Sequence, residues 1–366
     1  MNLKKYFCPL LKGNNPLSHR LSKVFCQKDN QKDIFYQKLD FYKRRKNGEL
    51  TSEEMEMCKK QKDCEEKLSH VSNELTIPKL EELDMMYGVA NSLSGINAER
   101  HYSNLKYLAI LGALLAIFFV LYSEIDLYEI IFACLPLIII LGGILKWAEN
   151  SQHHKNYLEF RVLAESFRVQ FFLSIAGTNK RVVDILPWFV KRGVPWISEV
   201  LDDMELPDIS KTEKKPILNF WIRNQMSYHE YALENKRKEK YKNDMETNIL
   251  LYVTLIIYFL AFIFELYMFV HSPGNVHPDI WRTALNLSLG FAAAFTLFLE
   301  SYYGKKSLDD ICNDYERMYE LYVWAEQKVI HEGESTEVIL DLAREFLIEN
   351  STWYAYQNQN KPGFVL

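Results

Sequence analysis

The run "ILLYVTLIIYFLAFIFELYMFV", Ile249 to Val270, holds 22 residues and a single charge, Glu265. Roughly 17–25 apolar residues carry a helix across a bilayer, so this stretch constrains the fold more than any other. Three more apolar blocks accompany it: Tyr107–Tyr122, Ile130–Leu145 and Trp281–Leu299. The first two reach spanning length if Lys106 and Trp147 mark the interfaces, and the last does with its few small polar residues. Buried core helices are the alternative for any single block. Four blocks in two close pairs predict an integral membrane protein built from two transmembrane hairpins. The overall composition, 25% charged with a net charge of −5, conceals this segregation.

Lys and Arg mark the cytosolic side of a membrane protein. The two short connections, "SEIDLYE" and "HSPGNVHPDI", contain neither, whereas "KRKEKYK" (Lys236–Lys242) and the other flanks are basic. Both termini and the central segment are therefore expected on the cytoplasmic side. The opening "MNLKKYFCPLLKG" lacks the apolar core of a cleaved signal. The six cysteines show no CxxC spacing and read as reduced thiols.

The expected organisation is all-α, in five parts. A basic helical region occupies 1–104, the first hairpin 105–147, a cytosolic helical stalk 148–248, the second hairpin 249–300, and C-terminal helices 301–366. Helix breakers are missing between Pro216 and Pro273, between Ile144 and Ala176, and between Lys305 and Glu332. The 56 residues of the first gap would run roughly 84 Å as one helix, at about 1.5 Å per residue. Spans that continue into the cytosol as a stalk follow from this. The Pro- and Gly-containing stretch Ile185–Pro216 reads as a turn-back. A last helix is expected from Ser335–Thr336, whose hydroxyls can cap it; Val338, Leu342 and Phe346 with Ile339, Ala343 and Leu347 give it adjacent apolar stripes.

The first 47 residues carry 12 Lys or Arg against three Asp, with aromatics interleaved. Such a region can hold phosphates and stack bases or sit on anionic lipid; its aromatics can equally be core. Lys43, Arg44 and Arg45 are its ligand candidates. No GxxxxGK[ST] loop, GxSxG elbow or HExxH pair is present, the first two spans carry almost no polar residues, and neither catalysis nor a cofactor or metal is expected. His153–His154 is expected at the surface.

Polar and small residues do align in the last two spans. Thr254, Tyr258, Ala261 and Glu265 share one helical stripe, and Arg282, Asn286, Gly290 and Ala293 share another. Such strips line a water-filled path or form a helix–helix seam, and both readings stand. Glu265 lies about 7.5 Å from the outer end of its span, within reach of Arg282, either as a structural ion pair or as part of an acidic ring at a pore mouth.

The segment "YLEFRVLAESFRVQFFLSIAG" (Tyr157–Gly177), with its RxLAExxRVQ pattern after a hairpin, resembles the four-span, SLATT-like membrane effectors of bacterial antiphage and nucleotide-signalling systems. The ending "LAREFLIENSTWY" (Leu342–Tyr354) is similar to endings in the same group, Hailong-type effectors being the members compared first. The resemblance implies a pore that depolarises the bacterial inner membrane in abortive infection; one four-span protomer with so few polar groups would conduct poorly alone, so a homo-oligomer, a tetramer for instance, is expected. It also implies control by a nucleotide or oligonucleotide from a partner nucleotidyltransferase. No sensor domain typical of such proteins is legible in 1–104. Arg161, Glu165 and Arg168 fall on one helix face at i, i+4 and i+7, either as a salt bridge or as ligand contacts through Arg161 and Arg168. A membrane-anchored receptor or scaffold that does not conduct is the competing reading.

Overall fold

The computed structural model describes residues 31–51, 78–125, 130–207, 217–271 and 280–359, and these hold helices and no strand. In chain order they are α1 (Gln31–Lys46), α2 (Pro78–Ile125), α3 (Ile130–Ser151), α4 (His153–Ile175), and the short α5 (Val182–Ile185), α6 (Trp188–Gly193) and α7 (Pro195–Asp202). A π-helical turn, Leu218–Arg223, leads into α8 (Asn224–His271), followed by α9 (Ile280–Lys306), α10 (Leu308–Glu332) and α11 (Thr336–Gln359). Most of residues 1–47, most of both span connections (126–129 and 272–279), four of the six cysteines and the end of the turn-back lie outside the described residues.

The chain divides into two compact units. The first gathers Met1–Arg100, Gln152–Leu233 and Asn313–Lys361; the second gathers His101–Ser151, Glu234–Cys312 and Pro362–Leu366.

In the first unit, α4 is the axis. From Leu158 to Ile175 its buried residues fall on nearly every face, with polar Glu159, Ser166 and Gln170 among them, so the helix is covered nearly all round. Leu158, Phe160, Leu163, Ala164, Phe167, Leu173 and Ile175 are all fully buried. Helix α11 lies along α4, and α5 and α7 close over it. Aromatic rings tie the elements together: Phe35 of α1 stacks on Phe167 at 5.7 Å, and Phe172 stacks on Trp221 at 4.7 Å with planes 8° apart. Trp221 also meets Phe346 of α11 at 5.0 Å. Such pairs add about 0.5–1.5 kcal/mol each beyond their buried area. Phe35 and Tyr42 of the basic α1 are therefore core residues.

Local signals set the ends of these helices. Gly177 follows α4 at φ 68°, and the bonds Thr178 N→Leu173 O (3.0 Å) and Gly177 N→Ser174 O (2.8 Å) close a Schellman motif there. The Ser335 hydroxyl accepts from Val338 N at 3.2 Å, the expected cap of α11. All six apolar residues of its stripes are buried.

The second unit contains the apolar blocks. Among the described residues, four helices are long and apolar enough to cross a membrane, and the most apolar window of α8 has no buried residue. Phe132, Phe269 and Ile280 are each more than three-quarters exposed, so these helices are not covered by the rest of the chain, which fits a membrane protein. The breaker-free run before Pro273 is helical from Leu218 to His271. The other two runs are not single helices: α3 gives way to α4 at Gln152 (φ 54°), and α9 to α10 at Ser307 (φ 47°). Each is one left-handed residue, and the ladder resumes at once through Asn156 N→Gln152 O and Ile311 N→Ser307 O. A joint made this way needs neither Gly nor Pro, so the breaker count missed it.

Candidate functional site

Within the apolar unit, Arg282 and Asn286 stand one turn apart on α9 and reach two other helices. Arg282 donates to both oxygens of Glu265 on α8, from Nε to Oε1 at 2.5 Å and from Nη2 to Oε2. Asn286 Nδ2 donates to Glu124 Oε2 of α2 at 3.1 Å. Glu124 was not singled out in the sequence, although it is an acid in the lysine-free connection. The two stripes divide. Thr254, which bonds back to Leu250 O at 2.8 Å, and Ala261 are partly covered, whereas Tyr258 and Glu265 are exposed. Gly290 lies against Val120 of α2: a Cβ there would sit 2.4 Å from Val120 Cγ1. Ala293 is exposed.

The first unit holds a denser constellation. Arg161 Nη2 is 3.2 Å from Glu165 Oε1, and Arg168 Nη1 is 3.0 Å from Glu165 Oε2. Arg168 also donates to Tyr87 Oη at 2.5 Å and to Gln225 Oε1 at 3.1 Å, with its guanidinium over the Tyr87 ring. Burial alone would raise the Glu165 carboxyl, but the Arg168 and Arg161 charges outweigh it and hold it below its usual range. Two guanidiniums against one carboxylate leave a surplus of one positive charge. His229 completes the group, stacked at 5.4 Å on Tyr322 with Tyr315 at 5.7 Å, and neither ring nitrogen has a hydrogen-bond partner. Desolvation, reinforced by the two arginines, pushes it down to about 4 against the pull of Glu165, so it is neutral at pH 7.

Arg161 also lines a cleft of about 340 Å³ between α2 and α4. Gly88, Asn91, Ser92 and Gly95 supply one wall, and Tyr157 stands beside Arg161 on the other. The wall residues fall at i, i+3, i+4 and i+7, one small-residue face of α2. The Ser92 hydroxyl is buried without a partner. Ser94 is spoken for by Tyr157 O at 3.1 Å.

The remaining ligand candidates lie elsewhere. Lys43 meets Glu82 at 2.5 Å, Arg44 meets Asp40 at 3.1 Å, and neither these nor Arg45 lines the cleft. His153 and His154, expected at the surface, are instead partly buried and bonded to Asn97 Oδ1 (2.9 Å) and Gln357 O (3.0 Å). The two segments that carry the family resemblance pack on one another, with Tyr157 edge-on to Trp353 at 5.8 Å. Gln170 of the RxLAExxRVQ pattern accepts from Val182 N at 2.6 Å and fixes the start of α5. No family model, curated protein or solved structure matches this chain.

Proposed function

We propose that this chain is an oligomeric, ligand-controlled membrane pore that depolarises the bacterial inner membrane as an antiphage effector. In this reading the four apolar helices form two hairpins with both termini in the cytoplasm, around a shared axis in a tetramer. The controlling ligand is a nucleotide-type molecule made by a partner nucleotidyltransferase. One observation carries the reading: Glu124, Glu265, Arg282 and Asn286 are joined by hydrogen bonds near the same ends of the long apolar helices α2, α8 and α9. Polar groups in such a setting are costly, and they commonly mark ion or substrate paths. Support also comes from α2, one unbroken helix that holds both the wall of the cleft and the apolar run from Tyr107. A ligand that changes how α2 packs on α4 therefore acts on a helix that also serves in the pore.

Proteoliposomes loaded with a potential-sensitive dye test the proposal. Purified protein that leaves vesicles tight with and without nucleotide, or a detergent-solubilised particle with the mass of one chain, defeats it. The second reading, a non-conducting receptor, is favoured by the bidentate Glu265–Arg282 pair, which satisfies both charges inside one chain. It expects Glu265→Ala and Asn286→Ala to leave function intact.

A further inference from the structure

We infer that the cleft between α2 and α4 is a binding site for a phosphomonoester no larger than a nucleoside monophosphate. Its phosphate is held by Arg161 and Ser92, and its body lies along Tyr157. The inference rests on the ligand-controlled reading for its purpose, and names where the ligand sits and what chemistry it brings.

Charge is the first argument. Arg161, Arg168 and Glu165 leave one uncancelled positive charge, and Arg161 is the member of the cluster that lines the cleft. The pair with Glu165 engages Nη2, one edge of a group with five N–H donors. An anion in the cleft is thus met by a guanidinium already fixed in place, so little side-chain entropy is lost on binding.

The second argument is Ser92. A helical serine ordinarily bonds back to the carbonyl four residues earlier. Here the residue is 5% exposed, its hydroxyl has no partner, and it lines the cleft. Leaving a buried donor unsatisfied is unfavourable, and a ligand oxygen removes the penalty. Asn91 adds an amide on the same wall. Guanidinium, hydroxyl and amide donors arriving from two helices suit the spread oxygens of a phosphoryl group better than a flat carboxylate, which a single arginine edge already satisfies.

Shape supplies the size limit. The Cβ direction of Gly95 is open, with nothing within 4 Å, so glycine there leaves space for a guest. At about 340 Å³ the cleft lies near the lower end of the roughly 300–1,000 Å³ range of small-molecule pockets. One compact ligand fits; a polymer enters only by its end. Tyr157 offers an aromatic wall to a planar body.

The test uses the full chain in detergent micelles, titrated by calorimetry with inorganic phosphate, AMP and a short 5′-phosphorylated oligodeoxynucleotide. Saturable AMP binding is expected, with inorganic phosphate weaker. The oligonucleotide, which exceeds the cleft, should bind more weakly than AMP, and binding as tight as AMP's overturns the size limit. Arg161→Gln should weaken AMP roughly ten- to a hundredfold, as the loss of one charge-assisted hydrogen bond implies. Because that variant also disturbs Glu165, Gly95→Leu provides a second arm: it fills the cleft from a helix position with open space and leaves the ion cluster alone. AMP binding should vanish in Gly95→Leu with the melting temperature unchanged. No saturable binding of phosphate or AMP in the millimolar range overturns the site, as does binding unaffected by Gly95→Leu. Dye-loaded vesicles keep the two proposals apart: tight vesicles with intact AMP binding defeat the pore alone, and conducting vesicles without AMP binding defeat the cleft alone.

Discussion

His229 gives the most direct handle on the buried charge cluster. Its ring is 4% exposed, neither nitrogen is hydrogen-bonded, and its pKa falls to about 4. The groups that face it are Glu165, Arg161 and Arg168, together with the rings of Tyr228, Tyr315 and Tyr322. In the unfolded chain the same imidazole titrates near its ordinary value of 6.5. Above pH 6.5 both states are neutral and the stability is fully present. As pH falls, the unfolded state takes up a proton that the folded state refuses, so stability is lost progressively until about pH 4. Between pH 7.5 and 5.5 the two pKa values give a loss of about 1.3 kcal/mol. For a unit of this size that lowers Tm by roughly 3–5 °C.

Thermal unfolding of the full chain in micelles, followed by tryptophan fluorescence, measures this, since Trp221 belongs to the same core. Other groups titrate in the window, so the decisive quantity is a difference between chains. His229→Phe keeps a ring against Tyr322, removes two unpaired nitrogens and abolishes the titration. It should be more stable than wild type by about 1–2 kcal/mol at pH 7.5, and the gap should widen by the same 1.3 kcal/mol at pH 5.5. A gap that stays constant between the two pH values refutes the argument, because the imidazole would then titrate alike in both states.

Three further changes probe other parts of the fold. Gly290→Ala places a Cβ 2.4 Å from Val120 Cγ1, a stiff β-branched neighbour, and should cost about 1–3 kcal/mol in micelle melting, with Val120→Ala restoring most of it. Gln152→Gly and Ser307→Gly relieve left-handed joints and should each raise stability by about 1 kcal/mol; unchanged or lowered melting temperatures would mean the joints are not strained. Asp84 is pushed up to about 6, mainly by desolvation, with Lys46 pulling the other way. Its contribution therefore falls as pH rises from about 4 through 6, and Asp84→Asn should stabilise by on the order of 2 kcal/mol at pH 7.5 and by almost nothing at pH 4.

The features legible in the sequence are those governed by near neighbours along the chain. An unbroken apolar run declares its length, so the membrane-length helices could be read directly. The cap at Ser335 and the stripes of α11 were legible for the same reason, each depending on residues within two turns. The joints at Gln152 and Ser307 were not, because a single left-handed non-glycine residue leaves no mark in composition. The bond from Asn286 to Glu124 spans 162 positions, and no local pattern contains it. Ser92 and Gly95 looked like ordinary helix interior until α4 was set opposite them.

The triad on α4 shows why the same spacing can carry opposite meanings. Arg161, Glu165 and Arg168 at i, i+4 and i+7 read in the sequence either as a salt bridge, worth a few tenths of a kcal/mol if exposed, or as ligand contacts. Tyr87 from α2, Gln225 and His229 from α8 and Tyr322 from α10 then cover that face. With Glu165 and Arg168 largely buried, the carboxylate no longer adds only a small attraction; it is what allows two guanidiniums to remain beside each other. Removing it leaves an uncompensated buried charge, a change that typically costs about 3–5 kcal/mol. Glu165→Gln should therefore lower stability far more than Glu82→Gln, whose partner Lys43 is about half exposed. Equal losses in the two variants, measured by the same melting assay, would mean that water screens Glu165 as it does an exposed carboxylate.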